Sequence, residues 1–402
     1  MPVTYLPVRI ISLALRIALA GMCAFGIWLS WKQIRADYFY HLDSAESLRA
    51  AIRVEPDNWK YYMRLAALDD EDAQQLLETA VRLDAYNAEA DIELGLRLEE
   101  AGDNHDAERV LLNAFAVDHT YFTRWTLANF YLRHDNLAAF WMWAKRAAEM
   151  PSNNAGPLFE LCWHASPDPN EITQKILNNK PELLRQYLDY LLSKDQPSAA
   201  SDIAHRLIQF GDPTTDTARL FATIGRLVAT KDGMNAKSLW GDLASKHWVV
   251  ADTGLLNNPN FAREPLPVDF DWTLNSYSGL HSWTGQSGLE TEFTGVQPEQ
   301  CIVAQQAMVL APGNYVLDYS YRTQEIRPRT GLRWQVVAVG TETPLAESTD
   351  LSSNTLHQEQ MYFSIPEGSP PVYLRLKYQR ALGTTRISGT LAITSVSIHA
   401  RP

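Results

Sequence analysis

Three cysteines in 402 residues are too few for a disulfide framework, and Cys23, Cys162 and Cys301 are too scattered to form a zinc site. The ten histidines are isolated, with no HExxH spacing. No P-loop and no glycine-rich dinucleotide fingerprint is present, and Gly285-Gln286-Ser287-Gly288 has the wrong spacing for a nucleophile elbow. These absences predict no cofactor, no resident metal and no catalytic centre. Positive charge is scarce as well: the net charge is −12. Its distribution is uneven, with +4 over residues 1–36, −12 over 37–250 and −4 over 251–402. An acidic body repels phosphate backbones, which argues against nucleic acid as a partner.

One long apolar run is present. Ile10 to Leu29 has the length of a membrane-crossing helix, interrupted only by Arg16, which can snorkel toward headgroups. Trp28, Trp31, Lys32 and Arg35 suit the opposite interface. A transmembrane anchor over 10–31, after an N-terminal segment 1–9, is the first reading. A cleaved signal peptide is the second, because the uninterrupted stretch Ile17 to Leu29 is short, but no small-x-small cleavage site follows it. With the amino terminus inside, the chain is a single-pass inner-membrane protein with its body in the periplasm.

The middle of the chain repeats. Leu94, Gly95, Gly102, Ala107 and Ala114 are answered by Leu127, Ala128, Asn136, Trp141 and Ala148 at a spacing of about 34 residues. The phrase Ala51-Ile52-Arg53-Val54-Glu55 returns as Ala80-Val81-Arg82-Leu83-Asp84 and Ala114-Phe115-Ala116-Val117-Asp118. The shorter first offset predicts a tight turn or a clipped helix near Asp69 to Asp72. Small residues at Gly95 and Ala107 let paired helices approach, while Leu94, Leu98, Leu111, Leu127 and Tyr131 form stripes that one hairpin cannot bury alone. This pattern resembles tetratricopeptide (TPR) repeats over 37–165. Five further helices follow within 166–250, starting near Asn170, Pro181, Pro197, Thr215 and Asn235. They read as degenerate repeats or as a separate helical cap.

The resemblance implies a concave groove for a protein partner. Eight aromatic residues crowd Tyr121 to Trp143. Aromatics at helical spacing normally face a core; the alternative is a ligand-facing strip, with Trp125, Tyr131 and Trp143 as groove candidates.

After a turn-rich linker over 251–260, segments beginning near Gly288, Ile302, Tyr315, Leu332, Gln360, Val372 and Ile387 alternate or run apolar between Gly/Pro punctuation. Seven to nine such strands predict an antiparallel β-sandwich over 261–402. Asn260-Phe261, Gly288 to Gly295, Gln305-Gln306 and Leu310 to Tyr315 make this region resemble carbohydrate-binding modules and galactose-binding-like jelly rolls. The resemblance implies a possible polysaccharide ligand, stacked on Trp272, Tyr277, Trp283 or Trp334 and hydrogen-bonded by Arg322, Arg333 or Gln335.

The fold class is therefore multidomain α + β: a transmembrane helix, a TPR-like α-solenoid and a C-terminal jelly roll. The expected function is a membrane-anchored, non-enzymatic scaffold in envelope exopolysaccharide production or export. The alternative is a glycan hydrolase or lyase using Glu290 and Glu292, which share a strand face, although a solvated face explains that pair more simply. Asp269, Asp271 and Glu299 are the oxygen ligands a calcium ion would use, if one were held.

Overall fold

The structure is a computed structural model describing residues 8–151 and 154–401, with side chains from residue 15 onward. The expected N-terminal segment 1–9 therefore lies outside the described residues, apart from the backbone of 8 and 9. The chain divides into two compact units. One holds residues up to 153 with 160–167; the other holds 154–159 with 168–402.

In the first unit, α1 (Val8–His41) runs unbroken from the apolar stretch into the helical body. Among the described residues it is the one helix long and apolar enough to cross a membrane. Leu15, Phe25, Ile27, Trp28 and Trp31 are exposed along it. Ala36, by contrast, is fully buried with Ala51 and Tyr61, and Tyr40 packs its ring 5.4 Å from that of Tyr61. The last two turns of α1 thus complete the first helical hairpin, with α2 (Ala45–Val54), and no flexible connection follows the apolar run.

Three hairpins follow: α3 (Trp59–Ala66) with α4 (Ala73–Leu83), α5 (Ala88–Glu100) with α6 (Asn104–Val117), and α7 (Tyr121–Arg133) with α8 (Leu137–Ala148). The short first repeat is a clipped helix: α3 has only 8 residues. The register between the two clear repeats is one residue shorter than matching Gly102 to Asn136 implies. Gly102 and Asp135 both take a left-handed backbone, at φ 84° and 54°. Asp103 and Asn136 are the following N-caps, accepting from the backbone N–H groups of Asp106 and Ala139. Ala107 is answered by buried Phe140, and Ala114 by buried Ala147.

The hairpin turn has a physical explanation. A helix exposes its last carbonyls, and a left-handed residue lets the next N–H reach back to cap one of them. Asp103 N–H donates to Leu98 O at 2.9 Å, and Asn136 N–H donates to Tyr131 O at 2.9 Å. Glycine takes that backbone without strain, and aspartate is among the side chains that tolerate it.

Asp91 on α5 is buried and accepts a 2.7 Å hydrogen bond from Asn113 Nδ2 on α6. Burial pushes its carboxyl up, with the Asn113 bond opposing. Because the folded value is raised, the fold favours the protonated form; the stability this contributes is present below the unfolded value and is lost as pH rises through the folded one. The stability difference between wild type and Asp91→Asn should therefore move against wild type as pH rises from about 3.9 through the raised value. Urea melts at several pH values check this; a pH-independent difference would contradict it.

α9 (Gly156–Ala165) is divided between the two units. The second unit continues with α10 (Pro169–Ile176), α11 (Pro181–Ser193), α12 (Pro197–Phe210), α13 (Pro213–Ala229) and α14 (Gly233–Ser245). Proline opens four of them at the first turn, where its missing N–H costs nothing. The hairpin device recurs here. Asp195 and Lys231 are left-handed, and the N–H groups of Gln196 and Asp232 reach back to Leu191 O and Leu227 O.

The sandwich comprises β1 (Thr273–Leu274), β2 (Leu280–Gly285), β3 (Gly288–Thr294), β4 (Gln300–Met308), β5 (Gly313–Gln324), β6 (Leu332–Ala338), β7 (Pro344–Glu347), β8 (His357–Ile365), β9 (Val372–Gln379) and β10 (Ser388–Arg401). They form two five-stranded antiparallel sheets, ordered β1-β4-β9-β6-β7 and β2-β3-β10-β5-β8. Trp272, Trp334, Tyr378 and Phe293 fill the interior between them. Residues 251–260 are bonded to the body: buried Asn257 exchanges two hydrogen bonds with Gln306, and exposed Asp252 pairs with Arg263 at 2.6 Å. α14 packs on the same body, with Trp240 6.1 Å from Phe270 and Gly233 close against Pro371.

Candidate functional site

Two surfaces stand out: the outer face of one sheet and a groove on the helices.

The outer face belongs to the sheet β2-β3-β10-β5-β8. Its register aligns side chains in rows: Trp283, Glu290, Ala392 and Arg322 in one, His281, Glu292, Thr390 and Gln324 in the next. Farther along lie Ser397, Asp318 and Gln360, then His399, Val316 and Tyr362, then Arg401, Asn314 and Ser364. A β-bulge between Ile393 and Ser395 keeps this face continuous. Leu391 and Ile393 point inward, as do Val396 and Ile398. The odd step between those pairs would turn half of β10 inside out without an extra residue.

Trp283 and Tyr362 are the large exposed aromatics of this face, 44% and 55% accessible, on strands at opposite edges of the sheet. The Arg401 guanidinium lies 4.8 Å from the Tyr362 ring centre. Beside it is a cleft of about 310 Å³ lined by Asn314, Tyr315, Tyr362, Phe363, Ser364 and Arg401. Asp318 accepts from Gln360 Nε2 at 2.6 Å, and Ser364 Oγ donates to Asn314 Oδ1 at 2.7 Å. Arg322 is exposed and makes no ion pair among the described residues.

The sequence-derived sugar candidates separate in space. Trp283 and Arg322 share the outer face. Trp272 and Trp334 do not: they are 1% and 0% exposed, 6.0 Å apart in the core, and present no ring face to solvent. Trp272 Nε1 donates to Asn258 O at 3.0 Å. Tyr277 is half-buried against the core beside β2. Arg333 and Gln335 lie on β6 of the other sheet. Arg333 is engaged by Glu347 at 3.1 Å and Asp350 at 3.0 Å; Gln335 is buried and donates to Glu347. Tyr362 and Arg401 escaped the sequence reading, because alternation shows which residues share a face of one strand but not which strands become neighbours.

The calcium candidates are also dispersed in their bonding. Asp269 accepts from the Tyr373 hydroxyl at 2.7 Å, buried Asp271 accepts from two backbone N–H groups, and Glu299 pairs with Arg380 at 3.1 Å. Among the described residues no three His, Cys, Asp or Glu side chains gather as metal ligands.

The second surface is a groove of about 750 Å³ on the first unit, walled by Tyr40 of α1, Trp59, Lys60 and Met63 of α3, Leu77 of α4, and Glu89, Glu93, Leu96 and Arg97 of α5. Arg64 and Arg97 at its rim are committed, to Asp43 at 2.5 Å and to Asp70 and Glu100 respectively. Partial desolvation pushes the Glu93 carboxyl up, with Glu89 and Glu100 adding to the shift.

The groove candidates drawn from the sequence stand elsewhere. Trp143 is 3% exposed and meets Phe115 edge-on at 4.7 Å. Tyr131 is buried, donates to Glu108 Oε1 at 2.6 Å, and has its hydroxyl pKa raised by burial and then by Glu108. Both rings pack the hairpins. Trp125 is half-buried, stacked 6.1 Å from Phe122, and its Nε1 has no acceptor among the described residues.

Comparison with known proteins adds the following. No protein-family model matches the chain, and no curated protein matches it. Solved structures do. A CBM4 module matches at 13% identity and TM-score 0.29, over 36% of this chain and 99% of that one. TmCBM61, solved with β-1,4-galactotriose, matches at 13% and 0.26, over 37% of this chain and 100% of the module. TTC0263, a TPR protein of Thermus thermophilus, matches at 22% and 0.27, over 29% of this chain and 69% of that protein. The chain is similar to TPR proteins and to carbohydrate-binding modules. The TPR-like helices and the module-like sandwich lie in succession along one polypeptide.

Proposed function

We propose that the chain is a membrane-anchored, non-enzymatic scaffold whose helical groove holds a polypeptide segment and whose sandwich holds a glycan on the sheet β2-β3-β10-β5-β8. The observation that carries this reading is the outer face of that sheet. A solvent-facing tryptophan, a tyrosine topped by an arginine, and rows of amide, carboxylate and guanidinium groups are the chemistry that stacks on a sugar's apolar face and bonds its hydroxyls. Anchoring is supported by α1, whose apolar run continues without a break into the turns that supply Ala36 and Tyr40 to the first hairpin. A single-pass inner-membrane protein with a periplasmic body, serving polysaccharide production or export, fits this arrangement. The division proposed is anchor 10–31, repeats 37–165 and 166–250, and sandwich 261–402.

Binding rather than turnover is favoured because Glu290 and Glu292 sit on one open strand face. Two carboxyl groups flanking a glycosidic bond need a cleft between them.

In affinity electrophoresis through gels cast with bacterial and plant polysaccharides, the full chain in detergent should be retarded by at least one gel. Trp283→Ala and Tyr362→Ala should each weaken that retardation by about tenfold, on the scale of one aromatic contact, with unchanged thermal unfolding. Retardation that both variants retain in full would contradict the assignment of this face.

A further inference from the structure

We propose that the groove between α3 and α5 selects a lysine- or arginine-bearing polypeptide segment, seating the cationic side chain between Glu89 and Glu93. This rests on the reading of the groove as a polypeptide site and adds the charge of its occupant. The case is one of charge accounting within a cavity large enough for a peptide. Every arginine facing the groove is already neutralised: Arg64 holds Asp43 through two nitrogens, and Arg97 holds Asp70 and Glu100. Lys60 lies 5.6 Å over the Trp59 ring and meets no carboxylate among the described residues. Glu89 and Glu93, one turn apart on α5, form no ion pair among the described residues. The groove therefore holds one free ammonium group against two free carboxylates, which repel each other across a single helical turn.

The walls fit the same occupant. Trp59, Met63 and Leu96 offer aromatic and aliphatic surface beside the two carboxylates. Lysine and arginine carry an apolar stem behind the charge, so one side chain can cover that surface and place its head between the acids. Methionine adapts its shape to varied stems. An acidic segment would bring a third carboxylate to the pair, and a purely apolar one would desolvate both glutamates without compensation.

The experiment is selection of peptides from a random dodecapeptide array by the full chain in detergent micelles, repeated with Glu89→Gln/Glu93→Gln and with Met63→Trp, which narrows the groove without adding charge. All three proteins are first matched by circular dichroism melting. The expected result is enrichment of lysine and arginine among peptides lost on Met63→Trp, with binding of those peptides weakened about tenfold or more by the double glutamine variant, the scale of one charge-assisted contact. Groove-dependent peptides lacking that enrichment, or indifferent to the double variant, would overturn the charge assignment while leaving the polypeptide reading in place. If no selected peptide depends on Met63, both fall.

Discussion

Trp334→Ala is expected to unfold the sandwich under conditions where the wild type is folded, at a cost of about 3–5 kcal/mol. The ring is completely buried, 6.0 Å from Trp272 and 6.3 Å from Tyr319, so removing it opens a cavity between two sheets that cannot collapse onto it independently. Its Nε1 has no hydrogen-bond acceptor among the described residues, so the loss is one of packing. The contrast with Trp283 is decisive. Trp283→Ala, on the open face, should change stability by no more than about 0.5 kcal/mol while weakening glycan retention. Guanidinium titration followed by near-ultraviolet circular dichroism separates the two; equal destabilisation would mean that Trp283 is a packing residue and that the outer face has been misassigned.

Asp216→Ala is the second large effect. Asp216 on α13 is fully buried, receives Arg185 of α11 through two nitrogens at 2.6 and 3.1 Å, and accepts the Asp212 backbone N–H at 2.9 Å. Removing the carboxylate takes the main partner of a largely buried guanidinium, which keeps only the exposed Glu182 at 3.5 Å, and strips the Asp212 N–H of its acceptor, at a cost of about 2–3 kcal/mol. Replacing both partners should cost far less, because the desolvation of both charges disappears with the pair. Chemical denaturation of Asp216→Ala beside Arg185→Met/Asp216→Leu checks this. A double variant as unstable as the single one would show that the hydrogen bond to Asp212, rather than the ion pair, holds α13 in place.

The architecture was legible in the sequence where a local rule governs it. The helix starts expected near Asn170, Pro181, Pro197 and Thr215 fall within two residues of the observed Pro169, Pro181, Pro197 and Pro213, because proline fits a first turn, and alternation along 315–322 marks the body of β5 because Tyr315, Leu317, Tyr319 and Tyr321 need burial. The repeat register failed by one residue. Matching Gly102 to Asn136 pairs two turn-forming residue types, whereas the backbone equivalence lies between Gly102 and Asp135, set by a left-handed conformation that glycine and aspartate both adopt. β1, β2 and β7 were missed because such short segments carry no clear alternation of apolar and polar residues.

The site was less legible than the fold. Residue type does not distinguish Trp283 from Trp272 or Trp334; sheet order does, and it depends on pairings between residues as distant as Arg401 and Asn314. Tyr362 becomes conspicuous only when β8 pairs with β5 and brings it under Arg401. Nothing in the sequence singles out the groove acids Glu89 and Glu93; only the fold brings Trp59 and Met63 of α3 to the same groove.

The central claim is binding without turnover on the sheet β2-β3-β10-β5-β8. The most direct test incubates the full chain with each polysaccharide that retards it and measures, in the same sample, bound polymer and newly formed chain ends. The account predicts retention that depends on Trp283 and Tyr362, with no release of fragments. Fragment release abolished by Glu290→Gln or Glu292→Gln would contradict it and make the same face an active site.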